Sequence, residues 1–343
     1  MKSISEYIKQ QNSIRLLAVG DIAVHDCILN DLKFNGIYNF MPIFKHVKPI
    51  IQQSDIAFCN QESIIAGNYI NISGGEKTKV YNSGVESPLK NPVFCSPYEF
   101  GEAVLDCGFN LISLANNHTL DKGINGVECS LNYWKSKSVI TSGSYSSFYD
   151  RDNIRVHECK GIKYAFLSYT TKKNDLLLPD SNKHYSNLYN PELVKKNILS
   201  IRKDVDLIIV SMHWGKEYNA GKQNREQKEI ANYLSSLGVD IILGHHPHVL
   251  QPYERIDNTL VFYSLGNFLS YQNSNDINRK VGVIMSLNIT KNKNKIHISE
   301  PTFELTYCYK NDGNYEIIPF SIMNNTILNN YKTIQKDQLS YLL

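Results

Sequence analysis

Three features that direct many function predictions are absent or weak in this sequence of 343 residues. The formal net charge is only +3, and the lysines are scattered or lie in short polar turns such as residues 291–295, so we expect no nucleic-acid-binding stripe. No stretch approaches the run of about 18 apolar residues that a membrane-spanning helix requires. We also find no internal repeat and no linker between domains. The chain is therefore expected to be globular, without a membrane span.

Cysteine usage and the first residues favour a reducing compartment. The seven cysteines are an odd number, and none lies in a CxxC pair or at zinc-ribbon spacing, so we expect free, mostly buried thiols. The opening segment, MKSISEYIKQQNS, lacks the apolar core of a signal peptide. We therefore expect a soluble cytoplasmic protein. The hydrophobic content of 42% is ample for a sizeable core.

Compact apolar runs alternate with amphipathic segments along most of the chain. The apolar runs predict buried strands at residues 14–19, 56–58, 109–114, 205–210 and 239–243. The amphipathic segments predict helices at residues 97–107, 127–137, 190–202 and 225–237. This alternation predicts an α/β sheet with helices on its outside.

Other segments predict the rest of the architecture. Apolar residues recur at helical spacing over residues 40–51, and residues 155–170 predict two strands about the turn at Lys160 and Gly161. Beyond residue 280 the alternation predicts antiparallel strands, with a closing helix after residue 322. The stretch from 66 to 97 is long and rich in Gly, Asn, Ser and Pro, so it is a candidate substrate loop.

Polar side chains that can bind metal ions follow five of the predicted strands. They are Asp21, Asn60 with Glu62, Asn117 with His118, His213, and His245, His246 and His248 of the GHHPH motif. Ligands of α/β sheets bind at the carboxyl ends of the strands. We therefore expect these five strand ends to converge on one rim.

The GHHPH motif at residues 244–248 is the strongest single signal. Three of the ten histidines of the chain fall within four positions, directly after an apolar run. We expect Gly244 to adopt a backbone conformation that other residues resist, and Pro247 to stiffen the turn between the imidazoles. The motif predicts a strand that delivers imidazoles to a metal site.

Each of these residues also has an ordinary structural interpretation. Asp21 could cap a helix, Asn60 could be a turn residue, and a lone His213 could be a core histidine with its hydrogen bonds satisfied. The joint pattern favours a metal site instead. Nitrogen and oxygen ligands without thiolate favour Mn, Fe, Co or Zn, and there are enough ligands for one or two ions. Two such ions would activate a shared water against a phosphoryl group.

A general acid is predicted beside the proposed ligands. His118 follows the proposed ligand Asn117, and Asp121 lies three residues further on, where it could orient the imidazole. A leaving group needs a proton, so we interpret His118 and Asp121 as catalytic residues.

Six motifs together resemble the CapA family, which is named for bacterial capsule or poly-gamma-glutamate synthesis. They are GD at 20–21, NQE at 60–62, LANNHTLDKG at 114–123, HWGKEY at 213–218, GHHPHVLQPYE at 244–254 and YSLGNF at 263–268. That family is similar in fold to the calcineurin-like metallophosphoesterases. The resemblance implies a sandwich of two mixed β-sheets flanked by helices. It implies one domain over residues 1–343, with a motif-bearing core at 14–270 and further strands and a closing helix at 280–343.

The resemblance also implies roles for individual residues. Asp21 corresponds to the first metal carboxylate, Glu62 to the bridging acid, Asn117 to the amide ligand, His213, His246 and His248 to the imidazole ligands, and His118 to the histidine that protonates the leaving group. Two positions depart from the phosphoesterase pattern. Ala23 stands where those enzymes have a histidine, although His25 lies two residues further on, and an NxE arrangement replaces the bridging aspartate.

Further residues are candidates for ligand or substrate contacts. His25, Asn60, His245 and Glu217 could bind metal or substrate, while Ser264 and Asn267 could line a substrate pocket. The alternatives are loop, capping and turn roles.

The leading hypothesis is a metal-dependent hydrolase of a phosphoester or related anionic linkage in cell-surface polymer metabolism. Its partner would be an anionic small molecule or polymer, with a further association with polymer-synthesis machinery. The alternative is a non-catalytic component of a synthesis or export assembly that keeps a structural metal. A third hypothesis is an amide hydrolase, because an activated metal hydroxide also attacks carbonyl groups.

Overall fold

The computed structural model describes residues 12–67, 93–172, 178–271, 274–293, 295–311 and 314–343. The predicted substrate loop at 66–97 lies largely outside these residues.

The described strands, in chain order, are β1 (Ser13–Ala23), β2 (Lys33–Phe34), β3 (Ile37–Tyr38), β4 (Ile56–Gln61), β5 (Ile64–Ile65), β6 (Cys95–Ser96), β7 (Leu111–Ser113), β8 (Ile140–Ser142), β9 (His157–Cys159), β10 (Ile162–Thr170), β11 (Leu207–His213), β12 (Ile241–His245), β13 (Leu250–Ile256), β14 (Thr259–Leu265), β15 (Asn267–Ser270), β16 (Val281–Asn292), β17 (Lys295–Ile298), β18 (Thr302–Asn311) and β19 (Asn314–Pro319).

The described α-helices are α1 (Asp26–Asp31), α2 (Lys48–Ile51), α3 (Tyr98–Cys107), α4 (Gly123–Lys135), α5 (Phe148–Asp152), α6 (Pro191–Ile201), α7 (Arg225–Ser236) and α8 (Tyr331–Ser340). Short 3-10 helices span Met41–Phe44, Asp180–Tyr185, Ile277–Lys280 and Phe320–Ile322. Among these helices, none has both the length and the apolar character to cross a membrane.

The strands form two large mixed sheets. Within the described residues, the first sheet has the order β19-β18-β16-β1-β4-β7-β8, with β15 beside β1 and β17 beside β16. The second has the order β13-β14-β12-β11-β10-β9. β1 runs parallel to β4 and β15 but antiparallel to β16, and the second sheet likewise combines both kinds of pairing. The predicted α/β sandwich of two mixed sheets is confirmed.

Both faces of the first sheet are buried, which explains the unbroken apolar run in β1. Leu16 and Ala18 face the second sheet and share a core cluster with Phe166 of β10. Leu17 belongs to a separate cluster on the outer face, together with Phe100 of α3. The helices therefore cover the outside of a two-sheet core.

The second sheet is covered in the same way. Ile208 and Val210 of β11 pack on its outer face with Ile198 of α6 and Leu234 of α7. On the inner face, Ile209 joins the cluster shared with the first sheet. A parallel strand buried on both faces has a continuous apolar sequence, so β11 resembles β1 in its residue pattern.

Strand register sets the level of the polar strand ends. Asp21 of β1 pairs with Asn60 of β4 on one side and with Asn267 of β15 on the other. In the second sheet, His213 of β11 pairs with His245 of β12. The polar ends of neighbouring strands therefore lie side by side in each sheet.

Most local predictions agree with the structure, but the segment at residues 40–51 differs. Residues 40–51 form a 3-10 helix at Met41–Phe44 and the short α2 rather than one continuous helix. Pro42 and Pro49 lie in the first turns of these two segments, where the missing N–H is tolerated. A continuous helix would need that N–H, so the apolar spacing is helical but the helix is interrupted.

Gly244 has a different role from the predicted one. Within β12, a Cβ at Gly244 would lie 2.1 Å from the carbonyl oxygen of Tyr263 on β14, so close strand approach requires glycine there. The unusual backbone conformation instead falls on His246 (φ 94°) and His248 (φ 58°). Gly20 of β1 is equally confined, because its Cβ would lie 2.0 Å from the Gly266 carbonyl oxygen.

We predict that Gly20→Ala destabilises the protein by about 3 kcal/mol or more, because the clash is with backbone that cannot move aside. Gly36→Ala is the matched control, since Gly36 has φ 84° but no atom within 4 Å of its Cβ position, and it should cost about 1 kcal/mol. Urea denaturation gives both values. Equal effects of the two substitutions would contradict the close approach of β1 to Gly266.

Candidate metal centre

Asp21 lies at the meeting point of the two sheets. Its side chain is fully buried. Oδ1 accepts a hydrogen bond from Asn60 Nδ2 at 2.8 Å and lies 3.4 Å from His245 Nδ1. Oδ2 accepts from the His246 backbone N–H at 3.2 Å and lies 3.1 Å from His248 Nδ1. One carboxylate of the first sheet is thus held by residues 245–248 of the second sheet, which we call the histidine turn.

Glu62 follows β4 and faces the same histidines. Its Oε1 lies 3.7 Å from His213 Nε2 and 3.6 Å from His248 Nε2. The side chain is fully buried, and neither carboxylate oxygen has a hydrogen-bond partner. A buried carboxylate without donors is strongly destabilising, so this position is built for a cationic ligand.

His213 ends β11 and connects the amide residues. Its Nε2 lies 2.8 Å from Asn117 Oδ1, and its Nδ1 lies 3.4 Å from Asn60 Nδ2. An imidazole that donates through Nε2 and accepts through Nδ1 is neutral. The Asn60 Oδ1 atom has no hydrogen-bond partner, which leaves another oxygen lone pair inside the cluster.

His246 and His248 extend the cluster towards the surface. Both have left-handed backbone conformations, which cost side-chain-bearing residues about 1–2 kcal/mol each. Such strain is found where a turn must aim side chains at a site. Glu217, an exposed residue, has a carboxylate oxygen within 4.8 Å of ring nitrogens of both histidines.

The pKa values follow from burial and charge. Burial raises the pKa of Glu62 to about 7. Burial would lower that of His248, but the carboxylates of Glu62 and Asp21 raise the pKa to about 10. Burial lowers the pKa of His246 to about 3 and holds that of His213 well below its usual value. The cluster therefore contains two neutral imidazoles, which are the form that binds metal.

The donor atoms fit a divalent ion. Within the described part of the chain, three sets have ligand atoms within 4.8 Å of one another: Glu62 with His213 and His246, Glu217 with His246 and His248, and Asp21 with Glu62 and His248. The sets share members, so one or two ions can be accommodated. All donors are nitrogen or oxygen, as the intermediate transition metals prefer, and the unpartnered oxygens of Glu62 would gain a partner.

His118 and Asp121 lie together as predicted. His118 Nδ1 is 2.7 Å from Asp121 Oδ2, and both side chains are buried. Burial would lower the pKa of His118, but the Asp121 carboxylate outweighs it and raises the pKa. Asp121 Oδ2 also accepts a hydrogen bond from the Phe94 backbone N–H at 2.6 Å. The Phe94 ring lies 4.3 Å from the imidazole.

Four other candidate residues occupy different positions around the cluster. His25 Nε2 lies 3.1 Å from Ser270 Oγ, and its ring packs edge-on against Phe94 rather than joining the ligand groups. His245 packs against Phe58 on the inner face of the sandwich. Ser264 Oγ accepts a hydrogen bond from the Gly266 backbone N–H. Asn267, in contrast, lies beside a ligand.

Asn267 holds the candidate ligand His248 in position. Its Oδ1 lies 3.0 Å from His248 Nδ1, and its Nδ2 donates to the His248 carbonyl oxygen at 3.2 Å. The side chain is buried, so this residue orients His248. It was predicted as a substrate contact.

Sequence reasoning missed several neighbours of the cluster. Phe94 lies at the end of the Gly- and Asn-rich stretch, where no motif marks it. Tyr218 closes the HWGKEY motif, which was a usable signal, and its ring centroid lies 6.1 Å from that of His248. Arg279 lies beyond every motif, so only the fold brings it to this site.

Comparison with known proteins gives two curated relatives from Bacillus. The PGA biosynthesis protein CapA of Bacillus subtilis (strain 168) is 30% identical over 228 residues, which cover 66% of this chain and 56% of that protein. The capsule biosynthesis protein CapA of Bacillus anthracis is 31% identical over 231 residues, covering 66% and 53%. The chain thus spans about half the length of these relatives.

Solved structures match this chain over most of its length. A hypothetical protein from Thermus thermophilus has 13% identity and a TM-score of 0.50, with 84% of this chain and 98% of that chain covered. The calcineurin-like phosphoesterase YfkN from Bacillus subtilis has 12% identity and a TM-score of 0.48, with 96% and 98% covered. The family model described as bacterial capsule synthesis protein PGA_cap matches residues 15–272. The chain therefore belongs to this capsule synthesis family, which confirms the CapA resemblance of its motifs.

Proposed function

We propose that this protein is a metal-dependent hydrolase of a phosphoester or related anionic linkage, acting in the synthesis of a capsule or another cell-surface polymer. The observation that carries the proposal is the buried grouping of two carboxylates and three imidazoles, in which both Glu62 oxygens lack a hydrogen-bond partner. The His118 and Asp121 pair in the same part of the fold supports catalysis in addition to binding.

The proposed metal ligands are Asp21, Glu62, Asn117, His213, His246 and His248, with Mn, Fe, Co or Zn as the ion. Glu217 is a further ligand candidate on the exposed side. A bound ion would supply Lewis-acid polarisation of the anionic oxygens of the substrate. Asn60 supports the set by donating to Asp21.

His118 would give the leaving group its proton. Asp121 holds Nδ1 of the imidazole, so Nε2 of the charged ring carries the proton for transfer. Asp121 also raises the pKa of His118, which keeps the charged form populated. The Phe94 ring packs against the imidazole and limits the access of water to it.

The names of the relatives supply the biological setting. The proteins from Bacillus are named for PGA biosynthesis and capsule biosynthesis. We carry this setting to the present chain as a proposal: an anionic polymer or its precursor as substrate, and an association with polymer-synthesis machinery. An amide linkage is a second candidate bond, because a polymer of glutamate is joined by amides and metal-activated water also attacks carbonyl groups.

A non-catalytic role with a structural metal is the alternative. One observation favours it: Ala23 supplies no imidazole, and His25 contacts Ser270 rather than the ligand groups. One side of the centre thus has fewer donors than the phosphoesterase pattern implies. Stoichiometric metal without turnover of any anionic substrate would support this alternative over the hydrolase.

Two further predictions concern the whole chain. We propose a single domain over residues 1–343, supported by the antiparallel pairing of β16 with β1. We also propose a cytoplasmic location. All seven cysteines are free thiols, as is usual in a reducing compartment.

We predict that the protein, purified without a metal-binding tag, contains about one or two equivalents of a divalent transition metal, and that Glu62→Gln loses most of it. The substitution removes a buried charge without hydrogen-bond partners, so the chelator-treated variant should be as stable as chelator-treated wild type or more stable, by about 1 kcal/mol. Elemental analysis and urea denaturation measure the two effects.

Glu300→Gln is the control for this experiment, because Glu300 is exposed and pairs with Arg255 away from the centre. It should change neither metal content nor stability. A metal-free wild-type protein, or full metal retention by Glu62→Gln, would count against the proposed centre.

We predict that His118→Ala lowers kcat for phosphoester hydrolysis by about 100- to 10,000-fold while leaving metal content unchanged. Generic phosphomonoesters and phosphodiesters with added Mn are the substrates, and steady-state kinetics is the measurement. His297→Ala is the control, since His297 lies exposed on β17. Unchanged kcat in His118→Ala would remove this residue from the reaction.

A further inference from the structure

Tyr218 forms one side of the candidate metal centre. Its ring centroid lies 6.1 Å from that of His248. The Tyr218 backbone N–H donates to the Pro247 carbonyl oxygen at 2.7 Å, and the residue has φ 64°. This hydrogen bond fixes the tyrosine to the histidine turn.

Arg279 lies over the face of this ring. Its Cζ is 3.6 Å from the Tyr218 ring centroid, which is close stacking contact for a guanidinium. The Asn267 side chain also links Arg279 to His248. Its Nδ2 donates to the Arg279 carbonyl oxygen at 2.8 Å and to the His248 carbonyl oxygen at 3.2 Å. Arg279 is thus held one aromatic ring away from a proposed metal ligand.

The charge of Arg279 is incompletely paired. Among the described residues, its Nε is buried and has no hydrogen-bond partner. The carboxylate oxygen with which it forms an ion pair, Asp276 Oδ2, lies 3.6 Å from Nε, beyond hydrogen-bond length. The side chain remains 31% exposed, so a ligand can reach part of it. Glu217, the acidic neighbour of Tyr218, has a carboxylate oxygen within 4.8 Å of ring nitrogens of His246 and His248.

We propose that Arg279 binds a carboxylate of the substrate, one aromatic ring away from the linkage that the metal centre acts on. This inference rests on the proposed function, because it places the reacting group at the centre. The planar fork of a guanidinium matches a carboxylate through two parallel hydrogen bonds. Stacking on Tyr218 orients the fork before the substrate arrives, which reduces the entropy lost on binding. The preferred substrate class is then an anionic linkage that carries a carboxylate at this spacing.

Two matched phosphonates test the proposal by binding alone. 4-Carboxyphenylphosphonate and 4-nitrophenylphosphonate cannot be hydrolysed and have the same planar shape, but only the first carries a carboxylate. Calorimetry with the Mn-loaded full chain should show that wild type binds the carboxylate probe about 10- to 100-fold more tightly than the nitro probe. Arg279→Gln should abolish this difference while binding of the nitro probe stays within about twofold of wild type.

Three further variants separate binding from folding. Arg255→Gln removes an arginine of β13 that pairs with Glu300. This variant should keep the full preference for the carboxylate probe. Arg279→Lys keeps the charge without the fork and should keep only part of it. Tyr218→Leu removes the stacking surface and should weaken binding of the carboxylate probe more than that of the nitro probe. The melting temperature of each variant shows whether it is folded.

The outcomes distinguish this inference from the proposed function. Equal binding of the two probes by wild type, or equal weakening of both in Arg279→Gln, overturns the role of Arg279. If either of these outcomes is found but wild type hydrolyses 4-nitrophenyl phosphate, the proposed function is retained. A carboxylate preference that depends on Arg279, without hydrolysis of any phosphoester, supports the binding role and contradicts phosphoester hydrolysis. Failure of wild type to bind either probe overturns the role of Arg279, while the hydrolysis assays decide the proposed function independently.

Discussion

The hydrogen bonds to the buried Asp21 carboxylate connect the two halves of this protein. Asp21 belongs to the first sheet, while the backbone N–H of His246 and the imidazole of His248 come from the second. The central position of β1 makes this contact possible, because β1 has β4, β15 and β16 as neighbours. The close approach at Gly20 keeps the end of β1 in register with Gly266. The spacing of every proposed ligand depends on this junction.

The same region is poorly arranged for stability alone. Glu62 is buried without a hydrogen-bond donor, and His246 and His248 keep left-handed backbone conformations that residues with a Cβ rarely adopt. Folded chains tolerate such features where surrounding packing over-determines them. Here the surrounding packing is extensive, since apolar clusters fill the space between the sheets and cover both outer faces. Packing of the surrounding fold thus stabilises a site whose buried carboxylate and left-handed backbone are locally unfavourable.

Sequence patterns predicted the elements and most of the rim, and their failures have physical causes. Asp21, Glu62, His213 and His248 were predictable because each follows an apolar run, and strand ends are where α/β sheets place ligands. The role of Gly244 was not, since the clash that requires it involves Tyr263, a residue distant in sequence. Arg279 was missed for the same reason: its contacts with Tyr218 and Asn267 arise only in three dimensions. Local spacing predicts local geometry, whereas such pairings depend on how the sheets pack.

Because the proposed ligands come from two sheets, their spacing depends on the gap between those sheets. Asp21 and Glu62 are fixed to one hydrogen-bonded layer and His213 and His248 to the other. Side-chain packing and the few hydrogen bonds to Asp21 set the gap between the layers. Packed layers slide past each other more readily than neighbouring strands separate, because sliding breaks no hydrogen bond between paired strands. Compression or thermal expansion of the apolar interior therefore changes the distances between the candidate ligands of the two sheets. A methyl group added or removed deep in the sandwich would therefore change the width of the candidate metal centre.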